Sequence, residues 1–113
     1  MVSHQIVKGL LNSDNKPSSV SKSIIYNLPP EIIVVADEIN MYGLMSFYSD
    51  KVSLYTDLIN AGNNIILDFE LNSKELNNLL NLLEREAEIG NINKTKIDIS
   101  VKKILNKKGY DIV

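Results

Sequence analysis

The sequence has 113 residues, of which 44% are hydrophobic and 23% charged, with a formal net charge of -2. This composition suits one small packed domain rather than a disordered tail, and its weak charge argues against nucleic acid as a partner. The absence of cysteine excludes disulfides, thiolate chemistry and cysteine-based zinc sites. We predict a cytoplasmic protein that does not contact membranes, because the sequence shows neither a signal peptide nor a membrane-length apolar run.

The first part of the chain predicts two strands separated by a short helix. Residues 1–7 are mostly apolar and indicate a short buried strand, and a polar turn follows at residues 12–19. Ser21 is the predicted N-cap of a short helix that ends at the following Pro-Pro pair. Residues 31–36 are continuously apolar after Glu31 and rich in β-branched side chains, which is typical of a parallel strand covered on both faces.

The second part predicts three helices and a third strand. A helix over residues 49–61 ends at Gly62, and a short apolar strand follows at residues 64–69. Ser73 and Asn93 are the predicted N-caps of the last two helices. The side chains predicted to face inward are Val52, Tyr55, Leu58 and Ile59 on the first of these helices, Leu76, Leu79, Leu80 and Leu83 on the second, and Ile97, Val101, Ile104 and Leu105 on the third.

This alternation of strands and helices predicts an α/β fold with a parallel sheet, built as a single unit over residues 1–113. In such folds, functional side chains gather at the carboxyl ends of the strands. The three predicted strand ends carry His4, Asp37 and Asp68. Asp37 is the strongest candidate for chemistry, because it directly follows a rigid apolar strand.

Residues 33–44, which read IVVADEINMYGL, resemble the nucleophile segment of family 3 glycoside hydrolases, and most of all that of the bacterial β-N-acetylhexosaminidases. Further segments resemble this family in the same order along the chain. They are residues 1–4, Asp14 with residues 17–21, residues 59–67 and residues 90–105. The resemblance implies a partial TIM-type (β/α)8 barrel that holds about strands six to eight with their helices.

The resemblance also implies a chemical role for three residues. Asp37 corresponds to the nucleophile of a retaining glycosidase, which attacks the anomeric carbon and forms a glycosyl-enzyme. His4 and Met41 correspond to positions on the substrate side of the pocket. The implied substrate is an N-acetylglucosaminide-type carbohydrate, and no metal or organic cofactor is implied.

The sequence also departs from the family pattern. Ala36, Glu38 and Asn64 stand where the family has serine and two aspartates, and the histidine-containing acid/base loop and the sugar-binding Arg and Lys are missing. A complete barrel of this type takes about 250 residues. We therefore predict a truncated hydrolase, inactive alone, that associates with itself or with an N-terminal half-barrel chain.

Two other readings stay open. The first is a non-catalytic interaction module derived from the same barrel. The second is a receiver-like domain in which Asp37 accepts a phosphoryl group, although the lysine that such a domain needs at a strand end is not in place after residues 64–69.

Overall fold

The computed structural model describes residues 1–7 and 15–112, so the predicted role of Asp14 lies outside the described residues. Within these ranges a short 3-10 helix at Ser18–Val20 precedes the regular elements. These elements are α1 (Lys22–Ile25), β1 (Val35–Ala36), α2 (Tyr42–Met45), α3 (Lys51–Ala61), β2 (Ile65–Ile66), α4 (Ser73–Glu88) and α5 (Lys94–Lys107). None of the helices found in residues 1–7 and 15–112 is long and apolar enough to span a membrane.

The strands confirm the predicted parallel pairing. β1 pairs with β2 in the register Val35 to Ile65 and Ala36 to Ile66. On its other side, β1 forms a parallel bridge in which Val2 lies opposite Ala36. The Val2 N–H donates to the carbonyl of Val35 at 2.7 Å, and the Val2 carbonyl accepts from the N–H of Asp37 at 3.1 Å. β1 is therefore the middle of three parallel segments.

The strands are shorter than the apolar runs that predicted them. Regular pairing in β1 covers two residues instead of the six at 31–36, and β2 covers two of the six at 64–69. At the start of β1, the Val34 N–H donates to the side chain of Asn64 at 2.8 Å. A side-chain amide thus takes the place of a ladder partner there, and the two prolines before it supply no N–H of their own.

Helix α3 has two apolar faces rather than the one that was predicted. It begins at Lys51, later than expected, because the Asp50 carboxylate caps it by accepting from the Ser53 N–H at 2.8 Å. One face packs Leu54, Leu58 and Ala61 beneath the strands, with Leu54 and Leu58 fully buried. The other face packs Val52, Tyr55 and Ile59 against the cluster formed by Leu79, Leu83 and Ile92.

Helix α4 is capped by Asn72, one residue before the predicted Ser73. The Asn72 side chain accepts from the Glu75 N–H at 2.9 Å, and the Glu75 carboxylate accepts from the Asn72 N–H at 3.1 Å. This reciprocal pair is a capping box. Of the four leucines predicted to face inward, Leu79 and Leu83 are buried, whereas Leu76 and Leu80 are exposed.

Helix α5 begins after Asn93, as predicted, but its predicted apolar face is not fully buried. The side chain of Asn93 accepts from the Thr95 N–H at 3.0 Å. Of the four side chains predicted to point inward, Ile97 is 36% and Val101 49% exposed, and no residue of α5 is fully buried. The prediction is therefore wrong for Ile97 and Val101, whereas Ile104 and Leu105 are half-buried, because the described elements cover that face only in part.

The capping box gives a direct test of where α4 begins. Asn72→Ala will lower the free energy of unfolding by about 1 kcal/mol, because it leaves the Glu75 N–H without its cap. Ser73→Ala is the matched control and will change it by less than about 0.5 kcal/mol, since Ser73 is an exposed helix position. Urea unfolding followed by circular dichroism measures both, and a larger loss in Ser73→Ala would contradict this assignment.

Candidate functional site

Asp37 lies at the carboxyl end of the central strand. Its backbone N–H is held by the Val2 carbonyl at 3.1 Å. One carboxylate oxygen accepts from the Glu38 N–H at 2.8 Å, the one hydrogen bond that this carboxylate makes within residues 1–7 and 15–112. The residue is half-buried. The second carboxylate oxygen is therefore available to a ligand, and the turn that carries it is fixed by the sheet.

His4 is 7% exposed, and both of its ring nitrogens are engaged. Nε2 lies 2.9 Å from the carbonyl oxygen of Glu38, and Nδ1 lies 2.7 Å from the Ser19 hydroxyl. A carbonyl only accepts, so Nε2 carries the proton and donates, while in the neutral ring Nδ1 accepts from the hydroxyl. His4 thus holds the turn after Asp37, and its predicted contact with substrate stays a prediction.

Met41 lies outside this turn. It precedes α2 and is 49% exposed, in an extended conformation at the N-cap position of that helix. The structure therefore brings His4 and Asp37 to one turn through Glu38, and places Met41 at the start of the next helix. Its role on the substrate side also stays a prediction.

Glu38 joins the loop after β1 to the loop after β2. One of its carboxylate oxygens accepts from both the side chain and the backbone N–H of Asn40. The other accepts from the Phe69 N–H at 3.0 Å. Backbone pairing supports the same link, since the Ile39 N–H donates to the Leu67 carbonyl at 3.0 Å. The two strand-end loops are therefore fixed relative to each other.

Asp68 is an enclosed acid of this region, with a side chain only 4% exposed. One carboxylate oxygen accepts from Lys51 Nζ and from the Tyr55 hydroxyl, each at 3.0 Å. The other accepts from the Asn40 side chain at 2.9 Å and from the Glu70 N–H at 3.1 Å. Asp68 thereby connects helix α3 with both strand-end loops.

The charge of Asp68 is stabilised by these contacts. Burial by itself would raise the pKa of Asp68, but the hydrogen bonds from Asn40, Lys51, Glu70 and Tyr55 together hold this pKa below its ordinary value. Burial, and after it the hydrogen bond to Asp68, raises the pKa of Tyr55. Asp68 is therefore an ionised acceptor and Tyr55 a protonated donor at neutral pH.

Sequence reasoning found Asp68 as a strand-end acid but missed its partners. Lys51 and Tyr55 are four residues apart and so lie on one face of α3, a spacing that the sequence does display. Nothing in the sequence indicated that this polar pair would meet the end of β2. Within residues 1–7 and 15–112, no group of three or more His, Asp or Glu side chains is placed to hold a metal ion.

Three solved structures are similar to this fold. M. tuberculosis LpqI aligns with a TM-score of 0.79 and 25% identity, over 98% of this chain and 34% of LpqI. CbsA from Thermotoga neapolitana aligns with a TM-score of 0.69 and 25% identity, over 83% of this chain and 22% of CbsA. The β-N-acetylglucosaminidase from Thermotoga maritima aligns with a TM-score of 0.72 and 20% identity, over 88% of this chain and 23% of that enzyme.

No protein-family model matches the sequence, and no curated protein matches it significantly. The chain spans about a third or less of each structure to which it is similar. It is therefore a mixed helix and sheet unit whose fold is similar to part of a β-N-acetylglucosaminidase.

The environment of Asp68 predicts a loss of stability in acid. Its folded-state pKa lies below the unfolded value of about 3.9, so the unfolded chain binds more protons as the pH falls. The stabilisation is therefore complete above the unfolded pKa and is lost as the pH falls through the folded-state pKa. The difference in unfolding free energy between the native chain and Asp68→Asn will be largest near pH 7 and will shrink below about pH 4.

Lys51→Met is the companion variant for this titration. Removing the ammonium group that helps to lower the pKa of Asp68 will move the acid loss of stability to a higher pH. Urea unfolding at a series of pH values measures all three proteins. A difference between the native chain and Asp68→Asn that does not change with pH would contradict the role given to Asp68.

Proposed function

We propose that the chain is the C-terminal part of a family 3 glycoside hydrolase barrel of the β-N-acetylhexosaminidase type, with Asp37 in the nucleophile position. On this proposal, residues 1–113 form one unit that holds about strands six to eight. The observation that carries it is the place of Asp37, directly after the middle one of three parallel segments. The similarity of the fold to the β-N-acetylglucosaminidase from T. maritima supports the same proposal.

The geometry around Asp37 suits a nucleophile. A retaining glycosidase needs a carboxylate oxygen that attacks the anomeric carbon while the leaving oxygen takes a proton from an acid. Asp37 has one oxygen oriented by the Glu38 N–H and a second that no described residue engages. Its turn is held by Val2 on one side and by His4 on the other, so little reorganisation is needed before attack.

Neither His4 nor Asp68 is suited to be the second catalytic group. The sequence has one histidine, His4, and both of its nitrogens are used to hold the Asp37–Glu38 turn. The carboxylate of Asp68 is ionised and nearly enclosed, so it is a poor proton donor to a leaving group. We therefore propose that the acid/base comes from another segment and that the chain by itself is inactive toward its N-acetylglucosaminide-type substrate.

A second candidate function is a non-catalytic interaction module derived from this barrel. The uncovered apolar face of α5, with Ile97 and Val101 exposed, favours it. Such a face is a contact surface whether or not the finished assembly hydrolyses sugars. The two candidates differ in whether Asp37 has a chemical role.

The nucleophile assignment is tested in an assembly of this chain with an N-terminal half-barrel that carries the acid/base loop. Release of nitrophenol from nitrophenyl N-acetyl-β-glucosaminide is the measurement. Asp37→Asn will lower turnover by at least about a thousandfold, because an amide cannot form the glycosyl ester.

Asp98→Asn is the matched control. It makes the same chemical change at an exposed position of α5 and will leave turnover unchanged. Intact-mass analysis of the native assembly during turnover will show a sugar added to this chain, and none on Asp37→Asn. Turnover that persists in Asp37→Asn would refute the nucleophile assignment, and an assembly that forms but never turns over favours the interaction module.

A further inference from the structure

A pocket of about 230 Å³ lies at the amino ends of the two strands. Val34 and Asn64 line it, and these residues directly precede β1 and β2. Asp37 and Asp68 follow the same strands at their carboxyl ends, so the pocket is separate from the candidate functional site. What the pocket binds therefore does not depend on the role proposed for Asp37.

Most of the pocket lining is apolar and comes from three parts of the chain. These are α1, the segment between α1 and β1, and α5, which contribute the side chains of Ile25, Leu28, Pro29, Pro30, Val34 and Ile99. An apolar cavity of about 150 Å³ holds benzene. The pocket therefore has room for an aromatic ring or a short aliphatic chain together with a small polar group.

The side of the pocket formed by α5 carries positive charge. Lys96, Ser100 and Lys103 line it at a spacing of four and then three residues, which places them on one face of the helix. Both lysines are half-buried. Among the described residues no carboxylate lines the pocket, and the acids nearest to it along the chain, Glu31 and Asp98, are exposed outside it. The pocket is therefore cationic in a chain whose net charge is -2.

The two ammonium groups are held in place but keep their charge and part of their donor capacity. Lys96 Nζ lies 4.3 Å from the centre of the Tyr26 ring, a cation–π contact that does not neutralise the charge. Lys103 Nζ donates to the Ile32 carbonyl at 3.1 Å, which uses one of its three N–H groups. Both groups can therefore still donate to an anion.

The Ser100 hydroxyl adds a third donor. The Asn64 side-chain oxygen accepts from the Val34 N–H at 2.8 Å, so it is the amide nitrogen of Asn64 that donates to Ser100 Oγ at 2.9 Å. Since Ser100 Oγ accepts this bond, its own O–H is available, and no acceptor within residues 1–7 and 15–112 receives it. A hydroxyl donor between two ammonium groups suits a ligand group that only accepts, such as a carboxylate.

We propose that this pocket binds a small organic carboxylate whose body is aromatic or a short aliphatic chain. Lys96, Ser100 and Lys103 hold the carboxylate, and the body packs against the apolar lining between α1 and α5. Ligand sites commonly combine such a lining with a few polar groups that fix the orientation. An inorganic anion would leave the apolar lining unfilled, and a neutral apolar molecule would leave the ammonium groups unpaired.

Benzoate is the probe, and amide NMR titration of the full chain is the measurement. Benzoate will shift the amide signals of the residues that line the pocket and leave those around Asp37 in place. Benzyl alcohol keeps the ring without the charge, and acetate keeps the charge without the ring. Each will bind at least about tenfold more weakly than benzoate, because each loses one of the two contributions.

Lys96→Met and Lys103→Met will each weaken benzoate binding at least about fivefold, because each removes an ammonium group and keeps an apolar stem. Lys102→Met is the matched control, since Lys102 is exposed on α5 and does not line the pocket, and it will bind benzoate like the native chain. Circular dichroism will show the same helix content in all of these proteins. A measurement on the native chain needs no variant: added salt will weaken the binding of benzoate but not that of benzyl alcohol.

Three results would overturn the proposal. The first is that benzoate shifts no signals, or only signals away from the pocket. The second is that benzyl alcohol or acetate binds as tightly as benzoate. The third is that Lys102→Met weakens binding as much as Lys96→Met and Lys103→Met do. None of these measurements involves hydrolysis, so the proposal and the function proposed for Asp37 stand or fall separately.

Discussion

The buried carboxylate of Asp68 is the interaction on which the arrangement of the strand ends depends. It receives hydrogen bonds from Lys51 and Tyr55 of α3 and from Asn40 after β1, while it belongs to the loop after β2. A charge so enclosed is tolerable only when its lone pairs are satisfied. These three contacts therefore help to keep Asp68 ionised and hold three separate parts of the chain in one geometry, next to the turn that carries Asp37.

Much of the fold could be predicted from the sequence, because the ends of its helices and the apolar runs of its strands are marked by local residue patterns. Gly62 ends α3 with a left-handed φ of 111°, and Asn93 caps α5, both as predicted. The errors arose where tertiary contacts decide. A side-chain amide from Asn64 replaces a ladder partner of Val34 and shortens β1. Helical periodicity shows which face of a helix is apolar but not what covers it. The second apolar face of α3 was therefore missed, and the predicted face of α5 is only partly buried.

The candidate site was predictable to the same degree. Asp37 was identified because an acid after an apolar strand has a fixed position, and its backbone confirms that position. The role of His4 as a brace between Ser19 and the Glu38 carbonyl was not visible, because those contacts join residues 15 and 34 positions apart. Glu38, which departs from the family pattern, is used to tie the two strand-end loops together. A longer acid at this position reaches across to the Phe69 N–H.

On the proposed function, stability and activity would be coupled, because one partner would both cover the exposed apolar face of α5 and supply the acid/base group. In an isolated chain, the apolar face of α5 and the edge of β2 would promote aggregation, whereas in an assembly they would be contact surfaces. A partner that binds only the folded chain stabilises it in proportion to the logarithm of partner concentration over the dissociation constant. The free chain would therefore be both the less stable and the inactive form. The fold of this chain fixes the turn that carries Asp37, and on the proposed function the use of this carboxylate in catalysis would depend on a group from another segment.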